Sequence, residues 1–164
     1  MQPKFIDNTT LQQLVPSAYA SAPSSVVSEK YVFLPTAEIL DMFAGRKWMP
    51  IGGRQAKTRK PERQGFQKHL IRLRKEEFDF KVGNLIPEII LKNSHDRSSS
   101  LDFLLGLFNV VCENGLIIER LRFEALHIRH INVDEQIVAQ AIETTMNSFD
   151  MIGGDIIRYQ QIEL

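Results

Sequence analysis

The stretch that decides the fold is FQKHLIRLR, Phe66 to Arg74. Its residues alternate between two sides, which is the period of a β-strand. One side is suited to a core and the other is mainly basic, so we predict a strand with two unlike faces. The core face carries Gln67, His69, Ile71 and Leu73, and the basic face carries Lys68, Leu70, Arg72 and Arg74.

More strands are predicted after this segment. LIPEIILKN, Leu85 to Asn93, is a strand candidate in which Pro87 indicates an edge or a bulge. LDFLLGLFNVVC, Leu101 to Cys112, is apolar on both faces, which favours a central buried strand, although its length also permits a buried helix. The turn signal ENG at 113–115 separates it from LIIERLRFEALHIRHI, residues 116–131, which predicts one or two further strands.

A helix is predicted to follow the strands. Asn132 can cap its start while Glu135 reaches back, and IGGD at 152–155 breaks the helical pattern. The order predicts an α+β fold, with a largely antiparallel sheet followed by a packing helix and with a long basic loop. One helical stripe is formed by Val138, Ala141, Ile142, Thr145 and Phe149.

The chain is predicted to consist of two parts. Residues 1–30, rich in Ser, Ala and Pro, predict an N-terminal arm that gains order by packing, and residues 31–164 predict a single α+β domain. Within the domain, Tyr31 to Leu34 could form a short strand. Thr36 is then expected to cap a helix over Ala37 to Phe43, which Gly45 ends.

Composition narrows the class of protein. The chain has 164 residues and no formal net charge, which suits one domain with a real core. Cys112 is the only cysteine, which excludes an internal disulfide and a multi-cysteine metal site. We expect no membrane span, since no apolar run reaches about 20 residues. We expect no signal peptide, since the N-terminus lacks a basic region followed by an apolar one. With a single cysteine, a cytoplasmic, reducing location is the default expectation.

Positive charge is concentrated in one region. From Arg46 to Lys75 there are 11 of the 20 Lys and Arg residues against a single acid, Glu62. Residues 45–66, punctuated by Gly and Pro, are predicted to form a long loop or mobile hairpin leading into the basic strand. Phosphate backbones attract such charge, and Trp48 and Phe66 could stack on unpaired bases. The alternative is a solvated loop beside a basic face that meets acids of the C-terminal half.

Nothing in the sequence forms a catalytic or metal motif. Ser94, His95 and Asp96 are consecutive and read as a polar turn between strands, and His127 and His130 would face opposite sides of a strand. We therefore predict no catalytic residue, no metal and no cofactor. The predicted nucleic-acid-binding residues are Arg46, Lys47, Trp48, Arg54, Lys57, Arg59, Lys60, Arg63, Lys68, Arg72, Arg74 and Arg97.

Two stretches, KHLIRLR and PEIILKNSHDRSSSLDFLLGLFNVVCENGL, are similar to phage- and plasmid-like proteins grouped as a domain of unknown function and found on mobile elements. The resemblance covers roughly residues 31–147. Because this chain ends early for the family, we expect a truncated or minimal member, and it departs from the pattern at Arg97 and the serines that follow. The family's turn and its Cys-x-Asn-Gly correspond to Asn93, Ser94, His95 and Asp96, then Cys112, Asn114 and Gly115.

The resemblance implies phage or plasmid biology. The order of strands followed by a helix also resembles the core of single-strand annealing recombinases, as an architectural analogy. The main hypothesis is a single-stranded DNA-binding or annealing protein in recombination that forms homo-oligomers. The alternative is a small mobile-element protein that binds and inhibits a host protein, such as a nuclease-based defence complex. An enzyme is the least supported hypothesis, because no carboxylate cluster is evident.

Overall fold

A five-stranded sheet covered by helices organises the chain. The computed structural model describes residues 4–77, 86–110 and 117–161. The strands are β1 (Trp48–Gln55), β2 (His69–Lys75), β3 (Pro87–Asn93), β4 (Leu101–Val110) and β5 (Ile117–Ile128). The helices are α1 (Asn8–Leu14), α2 (Thr36–Ala44) and α3 (Glu135–Gln161), with short 3-10 turns at Pro16–Tyr19 and Pro61–Arg63.

The sheet is an antiparallel meander. The strands lie side by side in the order of the chain, and each of the four pairs is antiparallel. This confirms the predicted α+β fold with an antiparallel sheet followed by a helix. The end of the predicted fourth strand at Cys112, the turn at 113–115 and the strand start at Leu85 lie outside the described residues.

The alternation that predicted β2 is confirmed. His69, Ile71 and Leu73 are buried on the face that the helices cover. The other face carries a smaller apolar cluster of Ile90 and Leu104, with Leu70 packed against it. A strand with two unlike faces therefore sets the orientation of the whole sheet, because slipping by one residue would exchange core and basic side chains.

Part of the predicted loop at 45–66 is a strand, which corrects that prediction. β1 pairs with β2 along its length, from Trp48 opposite Lys75 to Gln55 opposite His69. The register shifts between Pro50 and Gly52. Pro and Gly are tolerated here because β1 is an edge strand, where a bulge and a missing donor cost little. The loop proper is residues 56–68.

The prediction that Pro87 indicates an edge strand is wrong. β3 is the middle strand of the sheet, and Pro87 is its first residue. A proline at the start of a strand removes a backbone donor where the ladder begins, so it marks a boundary there. Tyr31 to Leu34 also differs from prediction, since it is not part of the sheet that the structure describes.

Helix boundaries differ from the sequence prediction in three places. α2 begins at Thr36 with Pro35 as its cap residue, because the Thr36 hydroxyl is bonded elsewhere; Gly45 does end the helix. α3 begins at Glu135, where the Asp134 carboxylate, not Asn132, accepts a hydrogen bond from the Ile137 amide at 2.9 Å. The helix also continues through residues 152–155, because an internal glycine costs only about 1 kcal/mol.

The predicted stripe of α3 is confirmed. Val138, Ile142, Thr145 and Phe149 are buried against the sheet, and Ala141 packs beside them. Within the described ranges, no helix combines the length and apolar character that crossing a bilayer requires.

The described part of the N-terminal segment, residues 4–30, packs on the sheet. Leu11, Val15 and Ala18 are fully buried in the main core, and the Ile6 amide donates to the Pro50 carbonyl oxygen at 3.0 Å. Val15 lies close over β1 at Gly53. The helix and turn of this segment therefore cover the edge of the sheet beside the basic loop.

The two adjacent glycines of β1 provide a matched test of that packing. A Cβ at Gly53 would lie 2.8 Å from Val15 Cγ2 and 3.0 Å from the Leu70 carbonyl oxygen, whereas a Cβ at Gly52 meets nothing within 4 Å. We expect Gly53→Ala to lower the free energy of unfolding by about 1–3 kcal/mol. Gly52→Ala should change it little. Urea denaturation measures both, and equal effects would contradict the packing of the N-terminal segment on β1.

Candidate nucleic-acid interface

Exposed cations gather at one end of the sheet. Gln55, His69 and Asn93 are aligned across β1, β2 and β3 at this end, which is also where the loops 56–68 and 94–100 lie. We call it the basic end. Its only acids in those loops are the exposed Glu62 and the buried Asp96. The basic end carries Arg54, Lys57, Arg59, Lys60, Lys68, Lys92 and Arg97, all exposed except the half-buried Lys92.

A pocket opens among these cations. It has a volume of about 430 Å³ and lies between the end of β1, the start of β2 and the end of β3. Sequence reasoning assigned Arg54 and Lys68 to the interface but missed Lys92, which β3 brings beside them. The pocket is lined by Arg54, Gln55, Ala56, Lys68, His69, Leu70 and Lys92.

Arg72 and Arg74 are not free for a ligand, which corrects their assignment. Both guanidinium groups bind the carboxylate of Glu88, which is completely buried. Arg72 Nε donates to Glu88 Oε2 at 2.8 Å, and Arg74 Nη2 donates to Glu88 Oε1 at 2.7 Å. The basic face of β2 is thus partly neutralised from β3, as the alternative interpretation expected. A buried carboxylate needs such partners, because an unpaired buried charge is costly.

Two further arginines bind acids within the protein. Arg63 donates to the Asp96 carbonyl oxygen at 3.1 Å and lies 3.5 Å from its carboxylate, which ties the two loops of the basic end together. Arg46 pairs with Glu143 of α3. Both were predicted to bind nucleic acid, and both instead hold elements of the fold in place.

Trp48 and Lys47 also lie apart from the basic end. Trp48 is 1% exposed and packs edge-to-face on Phe149, with ring centroids 5.0 Å apart, so it is not available to stack on a base. Lys47 is exposed but precedes β1, roughly 23 Å of extended strand from Arg54. Phe66 is half-buried within the loop 56–68 and remains at the basic end.

A buried polar network supports the loops of the basic end. The Thr36 hydroxyl is its centre, with His69 Nε2 at 2.7 Å, Asn93 Nδ2 at 3.0 Å and His95 Nε2 at 3.3 Å. Ser17 joins through a 3.0 Å bond to His69 Nδ1. The network therefore connects the N-terminal segment, α2, β2, β3 and the loop 94–100.

The partners of His69 define the direction of these bonds. Its Nδ1 lies 3.0 Å from the Gln67 carbonyl oxygen, which can only accept, so Nδ1 carries the proton. His69 Nε2 is then an acceptor, and the Thr36 hydroxyl donates to it. Asn93 Nδ2 and His95 Nε2 donate in turn to the Thr36 oxygen. These bonds are all compatible with two neutral imidazole rings, while His95 Nδ1 and Asn93 Oδ1 are buried without a hydrogen-bond partner among the described residues.

Burial keeps these histidines neutral. Desolvation lowers the pKa of His69 to about 4. Desolvation, followed by the nearby His69 and His130, lowers the pKa of His95 to about 3. The pKa of His130 is lowered for the same first reason; its Nδ1 donates to the Val32 carbonyl oxygen at 3.0 Å and its ring stacks on Tyr31. Because the buried histidines are neutral, the positive charge of the basic end comes from its exposed Lys and Arg side chains.

The predicted polar turn at 94–96 is a turn, but it is buried. Ser94, His95 and Asp96 are each 2% exposed or less. Within the described ranges, no group of three His, Cys, Asp or Glu side chains could hold a metal ion. The signal for the network was present in the sequence, because His69 was placed on a core face where a buried polar group requires a partner.

Acidification should destabilise the protein through this network. In the unfolded chain the histidine pKa is about 6.5, so the unfolded state takes up protons first as the pH falls. We expect full stability above about pH 6.5, a decline toward pH 4 and a lessening slope near pH 3, measured by urea denaturation. His95→Gln keeps a donor for Thr36 without titrating, so its decline should be shallower. An unchanged slope would contradict the assignment.

Reversing both arginines of β2 should unfold the protein. In Arg72→Glu with Arg74→Glu, the buried Glu88 would face two carboxylates in place of two cations. We expect a loss of about 3–5 kcal/mol or more of stability. Circular dichroism and thermal melting measure it, with Lys68→Glu, at the exposed residue just before β2, as the control. A well-folded double variant would show that the Glu88 pair is dispensable.

Comparisons with known proteins place the chain in a family. The model of the family described as a domain of unknown function, DUF932, matches residues 23–164. Two Escherichia coli (strain K12) proteins are similar over 143 residues: UPF0380 protein YfjQ at 34% identity and UPF0380 protein YafZ at 35%. Each match covers 87% of this chain and 49% of the relative, so the chain spans about half the length of the curated relatives it matches.

No solved structure matches the chain significantly. The family match begins after α1 and includes all five strands, the basic end and α3. It confirms the resemblance to a family without an assigned function. The chain belongs to the DUF932 family.

Proposed function

We propose that this protein binds nucleic acid, single-stranded DNA foremost, through the basic end. The observation that supports the proposal is the separation of its cations into two classes. Arg46, Arg63, Arg72 and Arg74 are paired with acids of the fold, whereas six of the eleven exposed Lys and Arg residues that the structure describes lie at the basic end. A fold that needed its positive charge only for internal pairs would not gather this many exposed cations at one end of its sheet.

The loop 56–68 has the chemistry of a phosphate-binding segment. Lys57, Arg59 and Lys60 are exposed within four residues, and Arg63 anchors the loop to Asp96. The Phe66 amide donates to the Arg63 carbonyl oxygen at 3.0 Å, and the Phe66 carbonyl oxygen accepts from the His95 amide at 2.8 Å. The cations therefore extend from a base that is held on both sides, which lowers the entropic cost of ordering them on a ligand.

Preference for a single strand is supported by the concave shape and by the aromatic residue beside it. Single strands are bound by a basic groove that follows the backbone and by aromatic rings on which bases stack. With Trp48 buried, Phe66 is the aromatic side chain of the loop that remains half-exposed. Such binding has little sequence preference and depends steeply on salt.

The finer biological role that we propose is strand annealing in phage or plasmid recombination by a homo-oligomer. Annealing requires two strands to be held at once, which an assembly of several basic ends provides. β5 is an edge of the sheet, and a strand edge offers unpaired backbone groups to another copy. The resemblance to mobile-element proteins and the analogy with annealing recombinases support this role by association only.

Neutralising the loop should weaken binding and flatten its salt dependence. The variant Lys57→Gln, Arg59→Gln, Lys60→Gln removes three exposed charges. Each phosphate contact on a single strand contributes about 0.7 to the slope of log affinity against log salt, so the slope should fall by about 2. Fluorescence anisotropy of a labelled oligonucleotide of ~30 nucleotides, with a duplex of the same sequence beside it, measures the effect.

The matched control removes three charges elsewhere: Lys4→Gln, Lys47→Asn and Arg158→Gln, where Asn suits the positive φ of Lys47. It should bind as the unchanged protein does. Equal losses in both variants would show that only net charge matters. Absence of binding by the unchanged protein at low salt would overturn the proposal. The basic end would then be a docking surface for an acidic host protein, as in the alternative hypothesis.

A further inference from the structure

We infer that the pocket at the basic end binds a single nucleotide unit, with the phosphate held by Lys68 and Lys92 and the base lying against Leu70. The inference rests on the proposed function and deepens it, because it names the ligand group, adds Lys92 to the interface and gives a reason for selecting unpaired strands.

Register places the side chains of Arg54, Leu70 and Lys92 on one face. Leu70 of β2 is directly opposite Arg54 of β1 and Lys92 of β3. Residues directly opposite in antiparallel strands point to the same face, and neighbouring strands are about 4.8 Å apart. Lys68 precedes Leu70 by two residues, which places it on that face as well. Leu70 is thus an apolar centre with cations on three sides.

An apolar centre with cations on three sides matches the two halves of a nucleotide. The acid opposite Lys92, Asp102 of β4, is hydrogen-bonded to Ser100 and His127. The Leu70 side chain is half-buried and can contact the flat face of a base. Lys68 and Lys92 each present an ammonium group, which binds phosphate as a point charge. Arg54 lines the same pocket. An inorganic anion would use only the cations, so the apolar floor favours a phosphate that carries a base.

The size of the pocket favours an unpaired nucleotide. Pockets for small ligands are commonly about 300–1,000 Å³. At about 430 Å³, this one is at the small end of that range, which suits one nucleotide better than a base pair. A base within a duplex could enter only by leaving its stack, which costs a few kcal/mol. An unpaired base in a single strand does not have this free-energy cost. The pocket therefore adds a selectivity for single strands that the charge of the loop alone does not provide.

The pocket is formed before a ligand arrives. The Ala56 amide donates to the Lys68 carbonyl oxygen at 2.8 Å, which continues the β1–β2 pairing to the edge of the pocket. Behind it, Gln55 Oε1 accepts from the Ser17 amide at 2.9 Å, and the His69 ring is held in the buried network. The backbone at the walls is therefore held by the sheet, and only the ends of the cationic side chains need to order.

The test uses three small probes: thymidine monophosphate, thymidine and inorganic phosphate. Each is titrated into the full chain, with binding followed by NMR chemical-shift changes. We expect the nucleotide to bind more tightly than either of the other two. Lys92→Gln should weaken nucleotide binding by about tenfold or more, as expected for a charge-assisted contact, and Lys92→Arg should retain most of it. Thermal melting checks that both variants are folded.

The control is Lys4→Gln, which removes one exposed charge outside both the pocket and the basic end. It should leave nucleotide binding unchanged. Equal affinity for inorganic phosphate and the nucleotide, or an unaffected Lys92→Gln variant, would overturn the inference. If DNA binding still depends on the loop 56–68, the proposed function stands; if DNA does not bind at all, both fail.

Discussion

The hydroxyl group of Thr36 is the point on which the basic end depends. It donates to one histidine and accepts from another histidine and an asparagine, so that α2, β2, β3 and the loop 94–100 meet at one oxygen atom. Hydrogen bonds of this kind contribute only about 1 kcal/mol each, but leaving a buried member unpaired costs more. The network therefore selects one arrangement of the segments more than it adds to total stability.

This interior explains how a strongly basic surface can lie on a small domain. Neutral histidines beneath the loops add no positive charge, while Arg63 and Asp96 join the two loops. On the sheet, Glu88 neutralises part of the charge of Arg72 and Arg74 from the adjacent strand. The exposed cations are most numerous at the basic end, where backbone hydrogen bonds hold the loops. Binding would then need ordering of side-chain ends only, and not of the protein itself.

Some elements of this fold could be predicted from the sequence and others could not, for a physical reason. Alternation in β2 and the helical stripe of α3 were readable, because each reports a face that must be buried. β1 was missed because its glycines and proline look like a loop, and only pairing with β2 makes an edge strand of them. The position of Trp48 could not be predicted for a related reason. A tryptophan is suited both to a buried core and to contact with a ligand, and the sequence does not distinguish the two.

The class of fold, the two faces of β2 and the concentration of positive charge between residues 46 and 75 follow from the amino-acid sequence alone. Which cations pair with acids of the fold depends on tertiary contacts. Local composition cannot show that Glu88 meets two arginines of another strand, or that Lys92 stands beside Arg54 and Lys68. These are contacts between strands distant in sequence, and their partners follow from sheet register, which the hydrophobic faces fix only when the strands are brought together.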